Sequence, residues 1–403
     1  MKSQWLLLLG VWMLYVSFGL IATSLAPLAS LVIIDLGMTH AEMGLAMGAW
    51  QFIYIFSAVP SGILLDRIGA RHALAIAGIV VGLSALARVF ADDATSLILA
   101  VMLFGLGGPI VSAGASKVVI SSFTGSSRGF AMGIYMTGPA IGSIISLTTT
   151  HAILLPYFDD SWRSIFLLWA GVAFLSAFFW FSLATVAGSS ATGRQTGPHV
   201  SQTRVIGELI TRPAVVIVLL MSISVMMFSH GLSNWLPELL QSHGLSPVNA
   251  GYWAALPTMI GIISSLIIPK LATPERRFKI LIGLSLAAFS ASIMLRLTEP
   301  SSLLAGLLLQ GIANSSLVTV LILTLLELPE VQERHAGVAS GMFFSASQLG
   351  GVLGPVTIGV LYSPEMGFSN GLTLLTTISL TIVAGAILLQ YRLGKAPPTT
   401  LQM

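Results

Sequence analysis

Long apolar runs, each closed by a short polar or charged break, recur along the whole chain. They fall near residues 5–34, 42–65, 73–91, 95–120, 130–155 and 164–187, then 213–240, 249–270, 278–297, 302–326, 335–361 and 369–391. Each comes close to or exceeds the roughly 20 residues a helix needs to cross the bilayer's hydrocarbon. In lipid a segment must satisfy its own backbone hydrogen bonds, which favours helices over open strands. About twelve transmembrane helices are expected, with internal Pro and Gly in the longer runs marking places where a helix breaks. One stretch departs from the pattern: "GSSATGRQTGPHVSQTR" at 188–204 is polar and rich in Gly and Ser. It reads as a flexible joint, dividing the chain into an N-terminal six-helix bundle (1–187), a linker (188–212) and a C-terminal six-helix bundle with a short tail (213–403).

Composition agrees. Of 403 residues, 55% are hydrophobic and only 8% charged, against about 25% charged in soluble globular domains. So few charges cannot cover a surface facing water, and mean hydropathy is +0.92. Of the 18 Lys and Arg, 15 fall in alternate connections on one side and three (Arg88, Arg163 and Arg296) on the other. The positive-inside rule makes the first side cytoplasmic and both termini cytoplasmic, in a bacterial inner membrane. That distribution accounts for the net charge of +3 without nucleic acid as a partner. The N-terminal run reaches Ile34 with no small-residue cleavage site, so it reads as a first span and not a cleaved signal. Cys is absent, which removes disulfides, iron–sulfur clusters and thiol catalysis. HExxH and GxxxxGK[ST] are absent, and no GxSxG or paired carboxylate falls at membrane depth, so neither an enzyme nor a nucleotide-driven pump is expected, and no cofactor or metal is implied.

The two halves register with each other. "DLGMTHAEMGLAMG" (35–48) aligns with "QSHGLSPVNAGYWAALP" (241–257) at an offset of 207, pairing Gly37 with Gly244 and Gly44 with Gly251. "SLILAVMLFGLG" (96–107) aligns with "SLLAGLLLQGIA" (302–313) at 206, pairing Gly105 with Gly311, and "GIYMTGPAIG" (133–142) with "GMFFSASQLG" (341–350) at 208. Two homologous bundles enclosing a cavity are an architecture suited to alternating access.

At the cytoplasmic exit of the second run, "GILLDRIGAR" (62–71) concentrates one Asp and two Arg among glycines. Positive-inside charge explains the two Arg but not the Asp or the glycines. With the span count and the repeat, this stretch resembles the loop 2–3 signature of the major facilitator superfamily, here as Gly62, Asp66, Arg67, Gly69 and Arg71. The resemblance implies an all-α membrane fold of two pseudo-symmetric six-helix bundles and a latch on the cytoplasmic gate. In that latch Gly62 lets the second span approach the eleventh near Ala336–Gly341, and Asp66 faces the positive end of that helix. The matching place in the second half, "PKLATPERR" (269–277), has Thr273 where the Asp would be. "TGPAIGS" (137–143) and "GGVLGPVTIG" (350–359) add Gly138, Pro139, Gly142, Gly354 and Pro355. These are either close-packing positions or, for the first stretch, a feature similar to the Gly-Pro motif of proton-driven drug exporters in that superfamily.

Polar side chains at membrane depth are costly and often face a wet interior. The candidates are Tyr15, Gln51, Tyr54, His230, Asn234, Trp235, Gln310, Asn314 and Gln348. All fall on spans that line the central cavity in the resembled superfamily; each alternatively joins helices by a hydrogen bond or packs with its polar tip satisfied. His230 reads as a proton carrier or a helix-joining residue. Lys117 either snorkels to the headgroups or anchors an anion at the inner mouth, the latter resting on the likeness of "KVVISSF" to a cyanate and nitroimidazole branch. The expected protein is a monomeric secondary transporter in lipid. Its solute is a small organic molecule, an anion such as a monocarboxylate or a small polar species, with a coupling proton a further partner. The alternative is a proton-coupled multidrug exporter, against which stands the lack of an Asp or Glu at mid-depth.

Overall fold

The computed structural model describes residues 2–186, 202–331 and 335–394. Most of the linker expected at 188–212 therefore lies outside the described residues. Within it, Gln202–Ile210 forms a short helix, α8.

The first apolar run breaks as its Pro predicts. Helix α1 (Lys2–Thr23) gives way to a 3-10 turn at Ala26–Leu28 around Pro27, then to α2 (Ala29–Asp35). The second and third runs are one helical stretch, α3 (His40–Val89), whose only non-helical residue is Gly69 at φ 78° and ψ 160°. That left-handed conformation carries no Cβ penalty at glycine, so two spans meet at one residue instead of a loop. Asp93 caps α4 (Ala94–Ser122), and the Ser96 amide donating to its carboxylate holds Asp93 below the usual carboxylate range. Helix α5 (Gly125–Thr149) ends in a π turn at Thr150–Leu154 and the single turn α6 (Leu155–Tyr157), and α7 (Trp162–Val186) closes the first half. The second half contains α9 (Pro213–Ser242), α10 (Pro247–Leu271), α11 (Arg277–Met294), α12 (Pro300–Leu326), α13 (Ala336–Leu361) and α14 (Ser369–Gly394). With α3 counted twice, the eleven apolar stretches long enough to span a membrane supply twelve spans among the described residues.

Arg88 corrects the sequence expectation. The charge pattern puts it in a connection facing water, but it lies in the last turn of α3 and its side chain is buried. Its guanidinium donates to the Ile21 carbonyl (3.1 Å) and to the hydroxyls of Ser24 and Ser84 (both 3.4 Å), between the rings of Phe104 and Phe166. It braces α1 where that helix breaks.

The spans form two pseudo-symmetric bundles of six. In the first, α1 packs on α5 and α7, and α3 on α4 and α7; in the second, α9 packs on α13 and α14, and α12 on α10 and α11. The aligned glycines make equivalent contacts. Gly142 sits against the Val16 carbonyl and Gly350 against that of Ile223, while Gly105 sits against Trp50 and Gly311 against Pro257. Ser57 Oγ donates to the Gly105 carbonyl (2.8 Å), and its counterpart Ser264 Oγ to that of Gly311 (3.5 Å). Only small residues allow backbones this close.

Candidate substrate pathway between the bundles

The bundles meet along two main seams related by the same symmetry, α3 against α13 and α5 against α10. The face carrying the 62–71 stretch and Lys117 is termed the basic face. Toward the opposite face both seams are shut. A Cβ on Gly44 would lie 2.5 Å from the Pro355 carbonyl oxygen and one on Gly48 2.9 Å from that of Val352, while Gly251 abuts the Leu147 carbonyl and Gly359 that of His40. Toward the basic face they part: apart from each glycine's own helix backbone and chain neighbours, no described residue has an atom within 4 Å of where a Cβ would sit on Gly62, Gly133, Gly337 or Gly341.

His40 clamps the shut end. Its Nε2 lies 3.2 Å from Glu238 Oε1 in the other bundle. Its ring stacks on Tyr362 at 3.5 Å between centroids and 12° between planes, with Trp235 at 5.6 Å. Trp235 is buried and donates its Nε1–H to the Pro355 carbonyl (2.9 Å). Deeper in, Gln51 Nε2 and His230 Nδ1 meet at 2.8 Å across the bundles. Stacking of this kind contributes about 0.5–1.5 kcal/mol and a hydrogen bond about 1 kcal/mol. His40→Ala is thus expected to weaken closure of this face roughly 10-fold, read as faster labelling of a cysteine placed at Leu236.

Among the described residues, cavities of two sizes lie between the bundles. The larger, about 560 Å³, lies toward the basic face and is mostly apolar; Tyr54, Ala58, Pro109, Gly341 and Gln348 line it, with Ile206 of α8. The smaller, about 240 Å³, is about half polar, lined by Thr23, Ser143, Ser229, Thr258, Gln310 and Asn314 among others.

The candidate residues separate accordingly. Tyr54 and Gln348 line the larger cavity and Gln310 and Asn314 the smaller. Gln51 and His230 engage each other, and Asn234 Nδ2 donates to the His230 carbonyl of its own helix (2.8 Å). Tyr15 is buried between Phe18 and Tyr135. Lys117 lines neither cavity: its Nζ pairs with Asp66 Oδ1 at 2.6 Å near the basic face. Arg67 is exposed, whereas the Arg71 guanidinium lies over the Phe181 ring at 4.6 Å. Gly138, Pro139 and Gly142 bring α5 onto α1, while Gly354 brings α13 onto α9 at Met227 and Gly231. Pro355 belongs to the shut seam at Gly44. The second half carries a charge-reversed tie near the basic face, Arg277 Nη1 to Glu327 Oε2 at 2.7 Å. Sequence reasoning did not single out the hydroxyls of Thr23, Ser143, Ser229, Ser233 and Thr258, nor the His40–Glu238 clamp.

The chain belongs to the Major Facilitator Superfamily, whose family model matches residues 7–355. It is 23% identical over 391 residues to an uncharacterized transporter, YycB, of Bacillus subtilis (strain 168), covering 96% of this chain and 92% of that one. It is also 23% identical over 399 residues to the D-galactonate transporter of Escherichia coli O6:H1, covering 88% and 89%. Its fold matches a crystal structure of the nucleoside transporter NupG with a TM-score of 0.76 at 16% identity, over 96% of this chain and 98% of that one. It is an integral membrane transporter, not an enzyme.

Proposed function

We propose that this transporter moves a small organic solute by secondary active alternating access, rocking residues 1–187 against 213–392 around the smaller cavity. The basic face is the cytoplasmic one, both termini lie in the cytoplasm, and the membrane is a bacterial inner membrane. The observation that carries this reading is the asymmetry of the seams, shut by backbone contacts at one face and parted at the other around two cavities. The D-galactonate relative supports a small organic solute. His230, joined to Gln51 between the bundles, is the place for a coupling proton.

In the opposite state Gly62 would meet the α13 N-terminus, and Asp66, now held by Lys117, would face that helix end. The 68% exposure of the Asp66 side chain makes its present pairing with Lys117 weak, worth at most about 1 kcal/mol. Asp66→Asn is therefore expected to leave the melting temperature nearly unchanged and to cut solute flux at least 10-fold in proteoliposomes. Wild-type flux in that variant would remove the latch; wild-type vesicles that move no solute under a proton or sodium gradient would remove the transport reading.

A further inference from the structure

Gln310 and Asn314, four apart on α12, line the smaller cavity, and Gln310 is fully buried. Gln310 Nε2 and Oε1 and Asn314 Oδ1 are all buried without a hydrogen-bond partner among the described residues. Buried amides are normally satisfied by a neighbour, a water or a ligand, so these atoms await one. None of the residues lining this cavity is charged. Two cations of the first bundle are engaged elsewhere, Lys117 with Asp66 and Arg88 with the Ile21 carbonyl.

Resting on the reading that this cavity is the solute site, we infer that the solute is an uncharged, polyhydroxylated molecule of polyol or monosaccharide size. A carboxamide presents a donor and an acceptor side by side, and a hydroxyl group supplies both in return. Two carboxamides one helical turn apart line the same cavity as Thr23, Ser229 and Thr258, a set that matches a chain of neighbouring hydroxyls. A carboxylate or ammonium entering the same space would shed its water with no opposite charge to meet it. Water occupies about 30 Å³ per molecule in the liquid. A cavity of about 240 Å³ therefore has the volume of roughly eight waters, room for a polyol of about four to six carbons.

The test uses the purified full chain and pairs of probes that differ in charge: mannitol against gluconate, and glucose against glucuronate. A neutral member is expected to raise the melting temperature in a dose-dependent way, and its acid to bind at least 10-fold more weakly. Gln310→Met keeps the volume and deletes both unpartnered atoms. Its solute-free melting temperature should rise, since the two unsatisfied atoms of Gln310 are gone, while the shift produced by the neutral solute disappears. Gln310→Lys should turn the preference toward the acid. Acids that bind the wild-type chain as tightly as their neutral partners, or neutral polyols that all fail to bind, overturn the uncharged class. Spin-label distances across the two faces separate that failure from failure of the transport reading, because they report exchange between states without reference to the solute.

Discussion

Gly44→Val is expected to open the opposite face of the protein without unfolding it. The Cβ of any residue here meets the Pro355 carbonyl oxygen at 2.5 Å, and the obstacle is backbone belonging to the other bundle. A flexible side chain would move aside; a carbonyl within a helix moves only if its helix does. The strain of overpacking, about 1–3 kcal/mol, therefore acts on the contact between bundles. In a protein whose two states differ by a few kcal/mol, that strain shifts their ratio by roughly 5- to 150-fold. The variant should fold, expose the shut seam to labelling and transport at a small fraction of the wild-type rate. Gly251→Val, at the symmetry-related contact with the Leu147 carbonyl, should do the same. Unaltered labelling of both variants would mean that these contacts do not hold the face shut.

Gly350→Val is expected to fail differently. Its Cβ would collide with the Ile223 carbonyl and approach the Met227 nitrogen at 2.8 Å, both on α9 within the same bundle. No rigid-body motion relieves that clash, so the cost, about 3 kcal/mol at the upper end for overpacking, falls on folding. The yield of monodisperse protein and its melting temperature should both drop sharply. Gly142→Val, against the Val16 carbonyl, should behave alike. Glycines of one repeat thus divide into those whose enlargement changes the state and those whose enlargement destroys the bundle. A Gly350→Val protein with the wild-type melting temperature would contradict this division.

Much of this architecture is written in the chain because lipid makes length and charge decisive. The twelve runs and the offset of the glycine pairs are local signals, and the structure places Gly105 and Gly311, or Gly142 and Gly350, in equivalent contacts. What stayed hidden depends on distance in sequence. The His40–Glu238 clamp joins residues 198 apart and Lys117–Asp66 residues 51 apart, and no pattern along one helix announces either. Arg88 misled because a charge near the end of a run is expected to face water, whereas here, in the last turn of α3, its side chain turns into the bundle. The hydroxyls of the smaller cavity were invisible for another reason. Ser and Thr are common in these spans and many bond their own helix, as Thr148 does to the Ile144 carbonyl. The sequence alone does not separate them from Ser229 or Thr258, which face the cavity.

The most direct test of alternating access measures one distance across each face in the same preparation. The chain has no Cys of its own, so spin labels go on by single substitutions. Arg67 with Arg276 spans the basic face and Asp92 with Glu299 the opposite one, all four being exposed. The account predicts two populations in lipid nanodiscs, one matching the present structure and one with the basic-face distance shorter and the opposite-face distance longer, exchanging in proportion as solute or Gly44→Val is introduced. Distances that stay fixed at both faces, or that shorten and lengthen together, would contradict it.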